Sequence, residues 1–358
     1  MARLDDDAGS RSLVRIPRAR TTGALLAAFT SLLVGCGGSN GSRPPVDGAI
    51  DVDGPSAPSW WQPKVGEAKN WDIQLSGTID TSTPRLMYDL DLWSLVPSPM
   101  TLDYGDGNPI SVPAGTLAGK IAELHARTPA AIVICHVETG LLEMTRPDAP
   151  KFPGYNVDPK KIPDNPDNPA PGTVTGNPAA GSVIGWSLGA ADLRFLDVRE
   201  ASRPLWASIM FKRFDLARSI GCDGVEPGHN DVEAYTSGFT IPTPETYSWY
   251  TEVAKQGHDR MLSTGMKNGD TLAGTIDTEA DKFDWLMTER CGEFGTCDAS
   301  RPFINLHKAV FAIDYDHDSD GLTQSATVVC MQQGLAMIAD GLVKDVALTK
   351  AVRTQCEP

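Results

Sequence analysis

Seven places in this sequence put acid–base or hydrogen-bonding chemistry in the same relation to their surroundings. Asp91, Glu138, Asp197, Glu226, the pair Lys267-Asn268, Glu289 and the pair Asp314-Tyr315 each stand at the downstream end of a short apolar, β-branched or aromatic run. Carboxylates gathered around one pocket can divide two tasks: one delivers a proton, while another acts as nucleophile or as the ionised stabiliser of positive charge. A single strand-end acid more often caps a helix or meets solvent. Seven in one register point to a shared site. Lys267 and Asn268 fit hydroxyl binding better than a Schiff-base role. Tyr88, Trp71, Trp186 and Tyr315 offer faces on which a flat or ring-shaped ligand could stack.

The elements that must position these residues are the runs themselves: Trp71 to Leu75, Leu86 to Leu90, Ala131 to Val137, Leu193 to Val198, Gly224-Val225, Leu262 to Met266, Phe283 to Met287 and Ala309 to Ile313. Eight strand candidates result. Helical patterns lie between several of them, notably Leu205 to Ile220 and Pro244 to Arg260, the second with Thr243 as its expected cap. This alternation predicts an α/β protein, a single (β/α)8 TIM barrel over residues 60–358, whose βα loops gather strand-end residues on one face. No GxGxxG follows a strand, so a dinucleotide fold has no support. Gly154 to Ser182, rich in Pro, Asn and Gly, is expected to be a long loop on the active face, either lining a cleft as a lid or standing as a disordered insertion.

Upstream of the barrel, Arg11, Arg15, Arg18 and Arg20 precede a low-polarity run from Gly23 to Val34 that ends in Leu33-Val34-Gly35-Cys36. About a dozen apolar residues are too few for the ~20 that span a bilayer, and the basic flank suits an export leader over residues 1–35. Leu-Val-Gly-Cys resembles a bacterial lipobox, which implies a lipid on Cys36. Residues 36–59, of Gly, Ser, Pro, Asn and Asp, are expected to form a tether. The expected location is therefore the bacterial cell envelope, at the outer membrane or cell surface, held through the lipid at Cys36. The chain carries 46 acidic and 31 basic residues, a net charge of -15. Such a surface disfavours nucleic acid and anionic polymers and suits a neutral or cationic partner. A monomer is expected.

Of seven cysteines, Cys36 is set apart and six remain in an oxidising compartment, where an even count argues for disulfides. Cys291 and Cys297 flank a Gly-containing loop, Cys330 and Cys356 lie late in the chain, and Cys135 is left with Cys222. No CxxC or His-x-His spacing accompanies them, so neither a zinc site nor any other metal is expected.

Several segments together resemble the endo-α-1,4-polygalactosaminidases, glycoside hydrolase family 114. They are Trp71-Asp72-Ile73-Gln74-Leu75, Tyr88-Asp89-Leu90-Asp91-Leu92, Val133-Ile134-Cys135, the stretch with Gly140, Glu143 and Arg146, Gly221 to Pro227, Gly238-Phe239, Lys267-Asn268, and Glu289-Arg290-Cys291 followed by Cys297. The resemblance implies a barrel that cleaves α-1,4-linked galactosamine or N-acetylgalactosamine polymers without metal or organic cofactor. It also implies Glu289 as one catalytic carboxylate. The family places the other in Asp-Asn-Val-Asp directly after Glu-Pro, whereas this chain reads Glu226-Pro227-Gly228-His229-Asn230-Asp231-Val232-Glu233. Asp231, Glu226 or Asp223 then takes the second role, or the protein binds sugar without cutting it. Asp314-Tyr315 stands where the family usually has Glu-Tyr. Trp71, Tyr88, Asp91, Arg146, Asp197, Asp223, Asn230, Lys267, Asn268, Asp314 and Tyr315 are the expected substrate-binding residues.

Glycosidic cleavage needs a proton for the leaving oxygen and negative charge or a nucleophile on the opposite side of an oxocarbenium-like centre. A carboxylate crowded by others in a partly dry cleft has a raised pKa, so Glu289 is expected to stay protonated beside an ionised partner. Two alternatives remain: a non-catalytic carbohydrate-binding lipoprotein on the same barrel, and a hydrolase of another α-linked glycan.

Overall fold

The computed structural model describes residues 59–357 apart from Ala68 and Ala273. The expected leader, Cys36 with its expected lipid, and all but the last residue of the expected tether lie outside the described residues. Eight strands run parallel and pair in chain order: β1 (Trp71–Gln74), β2 (Met87–Asp91), β3 (Ile132–Glu138), β4 (Gly224–Gly228), β5 (Ser263–Lys267), β6 (Trp285–Glu289), β7 (Val310–Tyr315) and β8 (Asp340–Lys344). A ninth, β9 (Arg353–Gln355), runs antiparallel beside β8. The helices are α1 (Lys120–His125), α2 (Ala207–Ile220), α3 (Thr243–His258), α4 (Thr275–Glu279), α5 (Cys291–Phe294), α6 (Arg301–Asn305) and α7 (Ala326–Leu335).

The barrel is nearly closed. Between β1 and the β8–β9 edge side chains replace a ladder: Trp71 Nε1 donates to the Asp340 carbonyl at 2.9 Å, and the Arg353 guanidinium to the Trp71 carbonyl at 2.6 Å. Lys344 reaches Asp72 at 2.8 Å across the same seam. A strict (β/α)8 repeat is not met, because no helix joins β1 to β2.

Alternation along the strands sorts the core into two layers. Trp71, Ile73, Met87, Ile134, Trp285, Met287, Phe311, Ile313 and Leu342 fill the barrel interior. Tyr88, Leu90, Val133, Cys135, Val225, Met266, Leu286 and Val310 belong to the outer layer, with Met210, Phe214, Trp249 and Val253 from the helices. The inward positions change character upward. After Met87 comes Asp89, after Ile134 come His136 and Glu138, and after Trp285 and Met287 comes Glu289. An apolar floor thus carries an ionisable mouth.

Two expectations about the elements need correction. Leu193 to Val198 does form a strand, Leu193–Leu196, but outside the barrel: it pairs antiparallel with Leu141–Glu143 and Ile184–Ser187 in a small sheet between β3 and α2. The eighth barrel strand is Asp340–Lys344. A charged residue at each end hides its three-residue apolar centre, and Lys344 is buried only because Asp72 neutralises it. Thr243, expected as a cap, is the first helical residue of α3, and Pro242 before it makes no side-chain cap.

All three expected disulfides are present. Cys135–Cys222 ties β3 to the turn after α2, Cys291–Cys297 closes the α5 loop, and Cys330–Cys356 ties α7 to the residue after β9. The long connection over 154–182 is organised around buried Asp164. Its carboxylate accepts from the backbone of Asn165, Ala170 and Ser187 and from the hydroxyls of Thr173 and Ser187, with buried Arg194 at 3.6 Å. Burial alone would raise the Asp164 pKa, yet these donors hold it below the ordinary value. This segment is a built loop, so the disordered-insertion reading fails.

Candidate active site

Five adjacent strands, β3 to β7, project one connected set of ionisable groups into the barrel mouth. Register puts His136 opposite Glu226 and Glu138 opposite Gly228. His136 Nδ1 meets Glu226 Oε2, and its Nε2 lies 3.2 Å from Glu138 Oε1. Glu226 Oε1 lies 2.8 Å from Lys267 Nζ, and the same ammonium lies 3.4 Å from Glu289 Oε1. Tyr315, from β7, donates its hydroxyl to that Glu289 oxygen at 2.8 Å. The set runs unbroken from Tyr315 to Glu138, where His229 Nδ1 joins it at 2.8 Å.

Backbone geometry beyond the strand ends supports this set. Asn268 holds a left-handed backbone, φ 52°, which aims its Oδ1 at the Glu289 N–H, 2.9 Å away, and its Nδ2 at Asp231, 3.3 Å away. His229 is left-handed too, φ 47°. Such conformations cost energy in a residue with a side chain and are kept where the surrounding structure fixes them.

Charge balance follows from depth. Burial would raise the pKa of Glu226, but Lys267 and His136 outweigh it and keep the carboxylate ionised. Burial would lower Lys267, and Glu226 and Glu289 reverse that. Glu289 departs from expectation: burial would raise it, yet Lys267 and the Tyr315 hydrogen bond hold it below the ordinary carboxylate value, so it is ionised, not protonated. For Glu138 too, His229 and His136 overcome burial and push the pKa well down. Asp89 goes the other way, raised well above the usual value first by burial and then by the charge of Glu226. Neither carboxyl oxygen of Asp89 is hydrogen-bonded.

Asp89, His136 and Glu226 each bring a potential metal-ligand atom within 4.8 Å of the others. Lys267 Nζ, 2.8 Å from Glu226 Oε1, already places a positive charge beside this trio.

The expected site residues divide by position. Glu289, Lys267, Asn268, Tyr315, Glu226 and Asp231 come together in or against the mouth, with Asn230 buried beside them and accepting from the Thr139 hydroxyl. Asp91 caps the turn at Leu92–Leu95 and binds Arg146 at 2.6 Å. Trp71, Tyr88 and Asp223 lie at the starts of their strands, at the far end of the barrel. Trp71 is wholly buried, the Tyr88 hydroxyl donates to the carbonyls of Thr81 and Thr83, and Asp223 accepts from Val133 N. Asp314 points outward, where Gly292 N, Glu293 N and Gln333 satisfy it. Asp197 pairs with Arg199 beside a hollow of about 340 Å³, lined also by Asn177, Val183 and Phe239, to which no residue of the charge network contributes.

Asp89 and His136 lie inside apolar runs, before the strand ends, where a polar residue reads as an interruption. Period two was the available signal: Asp89 with Asp91, and His136 with Glu138, share a strand face.

A barrel mouth with carboxylates spread over three strands, steadied by a lysine and a tyrosine, is an arrangement that suits a glycoside hydrolase. The profile of glycoside hydrolase family GH114 matches residues 53–357, and the chain belongs to that family. Among solved structures it is similar to Aspergillus fumigatus Ega3 in complex with galactosamine, at 24% identity and a TM-score of 0.59, covering 83% of this chain and 97% of the other. A variant of the glycoside hydrolase domain of Pseudomonas aeruginosa PelA matches at 11% identity and a TM-score of 0.48, covering 81% and 99%. A search of the curated proteins found no match.

Proposed function

We propose that this glycoside hydrolase is endo-acting on α-1,4-linked galactosamine or N-acetylgalactosamine polysaccharide, with Glu289 as the carboxylate that acts at the anomeric carbon. One observation carries the assignment of Glu289: it is partly exposed at the end of β6 while Tyr315 and Lys267 fix one of its oxygens. An ionised, immobilised carboxylate facing a cleft suits either direct attack or activation of water. Glu226 and Asp231 are fully buried, and we assign them to holding Lys267, His136 and Asn268 in place.

The galactosamine in the Ega3 complex and the net charge of -15 support a substrate with amino-sugar units, since a cationic polymer is drawn to an acidic surface. Incubation with purified de-N-acetylated and N-acetylated polymers tests the reading. Release of oligosaccharides of several lengths is expected, and release of monosaccharide alone would refute endo action. A second reading, sugar binding without cleavage, is favoured by Gly228, which leaves the end of β4 without a side chain. It predicts retention on an immobilised polymer with no new reducing ends. We further infer export and attachment to the cell envelope through a lipid on Cys36. No helix among the described residues is long and apolar enough to cross a membrane.

A further inference from the structure

Depth separates the ionisable groups of the mouth into two sets. Asp89, Asp231 and Glu226 are fully buried and the Lys267 side chain is 5% exposed, so a sugar chain cannot reach them. The side chains of Glu138, Glu289 and His229 retain 11, 23 and 28% exposure; His136 also retains 11%, but both its ring nitrogens are taken up by Glu226 and Glu138. Substrate chemistry falls to the first three. Cleavage needs a proton for the leaving oxygen, yet both exposed carboxylates are held ionised by their neighbours.

His229 is placed where a donor is missing. Gly228 stands opposite Glu138 in the sheet, and a Cβ at 228 would lie 2.6 Å from Glu138 Oε2 and 2.8 Å from His136 Cε1. The Glu138 carboxylate and the His136 ring thus occupy the space that a side chain at 228 would need. The next residue turns left-handed, and this carries the His229 imidazole onto that same oxygen, Nδ1 to Oε2, at 2.8 Å. With Nδ1 committed to Glu138, the ring's Nε2 has no hydrogen-bond partner among the described residues. The groups that face the ring are Glu138 from β3, Asp231 from its own loop and Glu289 from β6, all carboxyl groups, with the Tyr235 ring 5.9 Å away. Burial opposes a charge on the imidazole, but Glu138 foremost and then Asp231 and Glu289 raise its affinity for a proton.

We propose that His229, oriented by Glu138, is the catalytic proton donor to the glycosidic oxygen, a role that rests on the reading of this site as a glycoside hydrolase. The Nε2 proton passes to the bridging oxygen as its bond to the anomeric carbon breaks, and the bond's electron pair stays on that oxygen. Neutral imidazole remains, still donating from Nδ1 to Glu138. The oxygen of one water finally forms the new bond to the anomeric carbon. Its released proton goes to Glu289, or, if Glu289 has first bonded that carbon, to the neutral imidazole while the bond to Glu289 breaks and its electron pair returns to the carboxylate. Exchange with solvent restores the starting state. Glu138 acts through His229 and is a positioning residue.

Leaving-group dependence tests the proposal, because a good leaving group needs no proton. On galactosamine polymer His229→Gln should lose ~10²–10⁴-fold in kcat, the usual worth of a general acid. On a nitrophenyl glycoside of a matched oligosaccharide the loss should be under tenfold. Equal losses on both substrates, or no loss on polymer, would overturn the proposal. Glu138→Gln should move the basic edge of the wild-type pH profile at least one unit down; an unmoved edge counts against the dyad. If the unaltered protein cleaves no glycan, the hydrolase reading itself fails. The donor role is still checked by NMR titration of the His229 ring in the full chain. A cationic ring persisting above pH 7, and losing its proton earlier in Glu138→Gln, is required, and a ring already neutral at pH 6 overturns the assignment whatever the turnover.

Discussion

The hydroxyl of Tyr315 donates to Oε1 of Glu289 at 2.8 Å from the neighbouring strand. It stabilises the ionised carboxylate, and its removal lets the proton return more easily. Tyr315→Phe is therefore expected to raise the Glu289 pKa. Since the ionised form is the active one in our reading, the acidic edge of the activity profile should move up by about half to one pH unit, with kcat at its optimum down by about tenfold. A kcat–pH series on the two proteins measures both. An edge that stays put would mean that another group sets it.

Glu289→Gln keeps shape and removes the charge. Turnover of polymer should fall by at least ~10³-fold while affinity, read by electrophoresis through polymer-loaded gel, stays within a fewfold. Turnover near wild type would end the assignment.

Lys267 has a structural role that stability should reveal. In Lys267→Met, Glu226 keeps only His136 as a charged partner in a fully buried position, and a loss of about 3 kcal/mol is expected in urea unfolding. The pH dependence has a definite sign. Because the folded-state pKa of Glu226 is depressed, its contribution is present above the unfolded carboxylate value and fades as pH falls toward the folded one. Without Lys267 the folded pKa rises, so acid unfolding should begin at higher pH. The double variant Lys267→Met, Glu226→Gln should recover part of the lost stability. No recovery would mean that Lys267 packing, not charge, is what matters.

Asp164→Ala removes the acceptor for five hydrogen bonds and strands buried Arg194. We expect the 154–182 loop to open locally, with cleavage there by a nonspecific protease rising at least tenfold, and about 2–4 kcal/mol lost from the whole domain. An unchanged digestion pattern would show that the loop is held by something other than this carboxylate.

Cys36→Ser should move the protein from the membrane fraction to the soluble one without altering kcat, if the expected lipid is the anchor. Unchanged fractionation would exclude lipidation at this residue.

Seven of the eight barrel strands could be read from sequence, because each has an uninterrupted buried run such as Val133-Ile134-Cys135. The eighth could not, because Asp340 and Lys344 look like surface residues until Asp72, 272 residues from Lys344, supplies a partner. Glu289, Lys267 and Asn268 were legible as strand-end residues. Their protonation was not, since it depends on contacts among β5, β6 and β7 that no local pattern records. His136 and Asp89 sat inside strands, where a polar residue is easily taken for an interruption. Leu193–Leu196 shows the reverse failure: local chemistry announced a strand correctly but not the sheet it would join.

The seam between β1 and the β8–β9 edge has a consequence for how the domain assembles. Its contacts join residues 269 to 282 positions apart, whereas every other barrel interface joins consecutive parallel strands. Closing so long a loop costs chain entropy that only the finished neighbours can offset, so the ring should shut last. A few side-chain bonds in place of a ladder make that closure the weakest arc of the ring. The Cys330–Cys356 bond, one end of it just past β9, then serves as a clasp: it ties β9 to α7 and so presents Arg353 to Trp71.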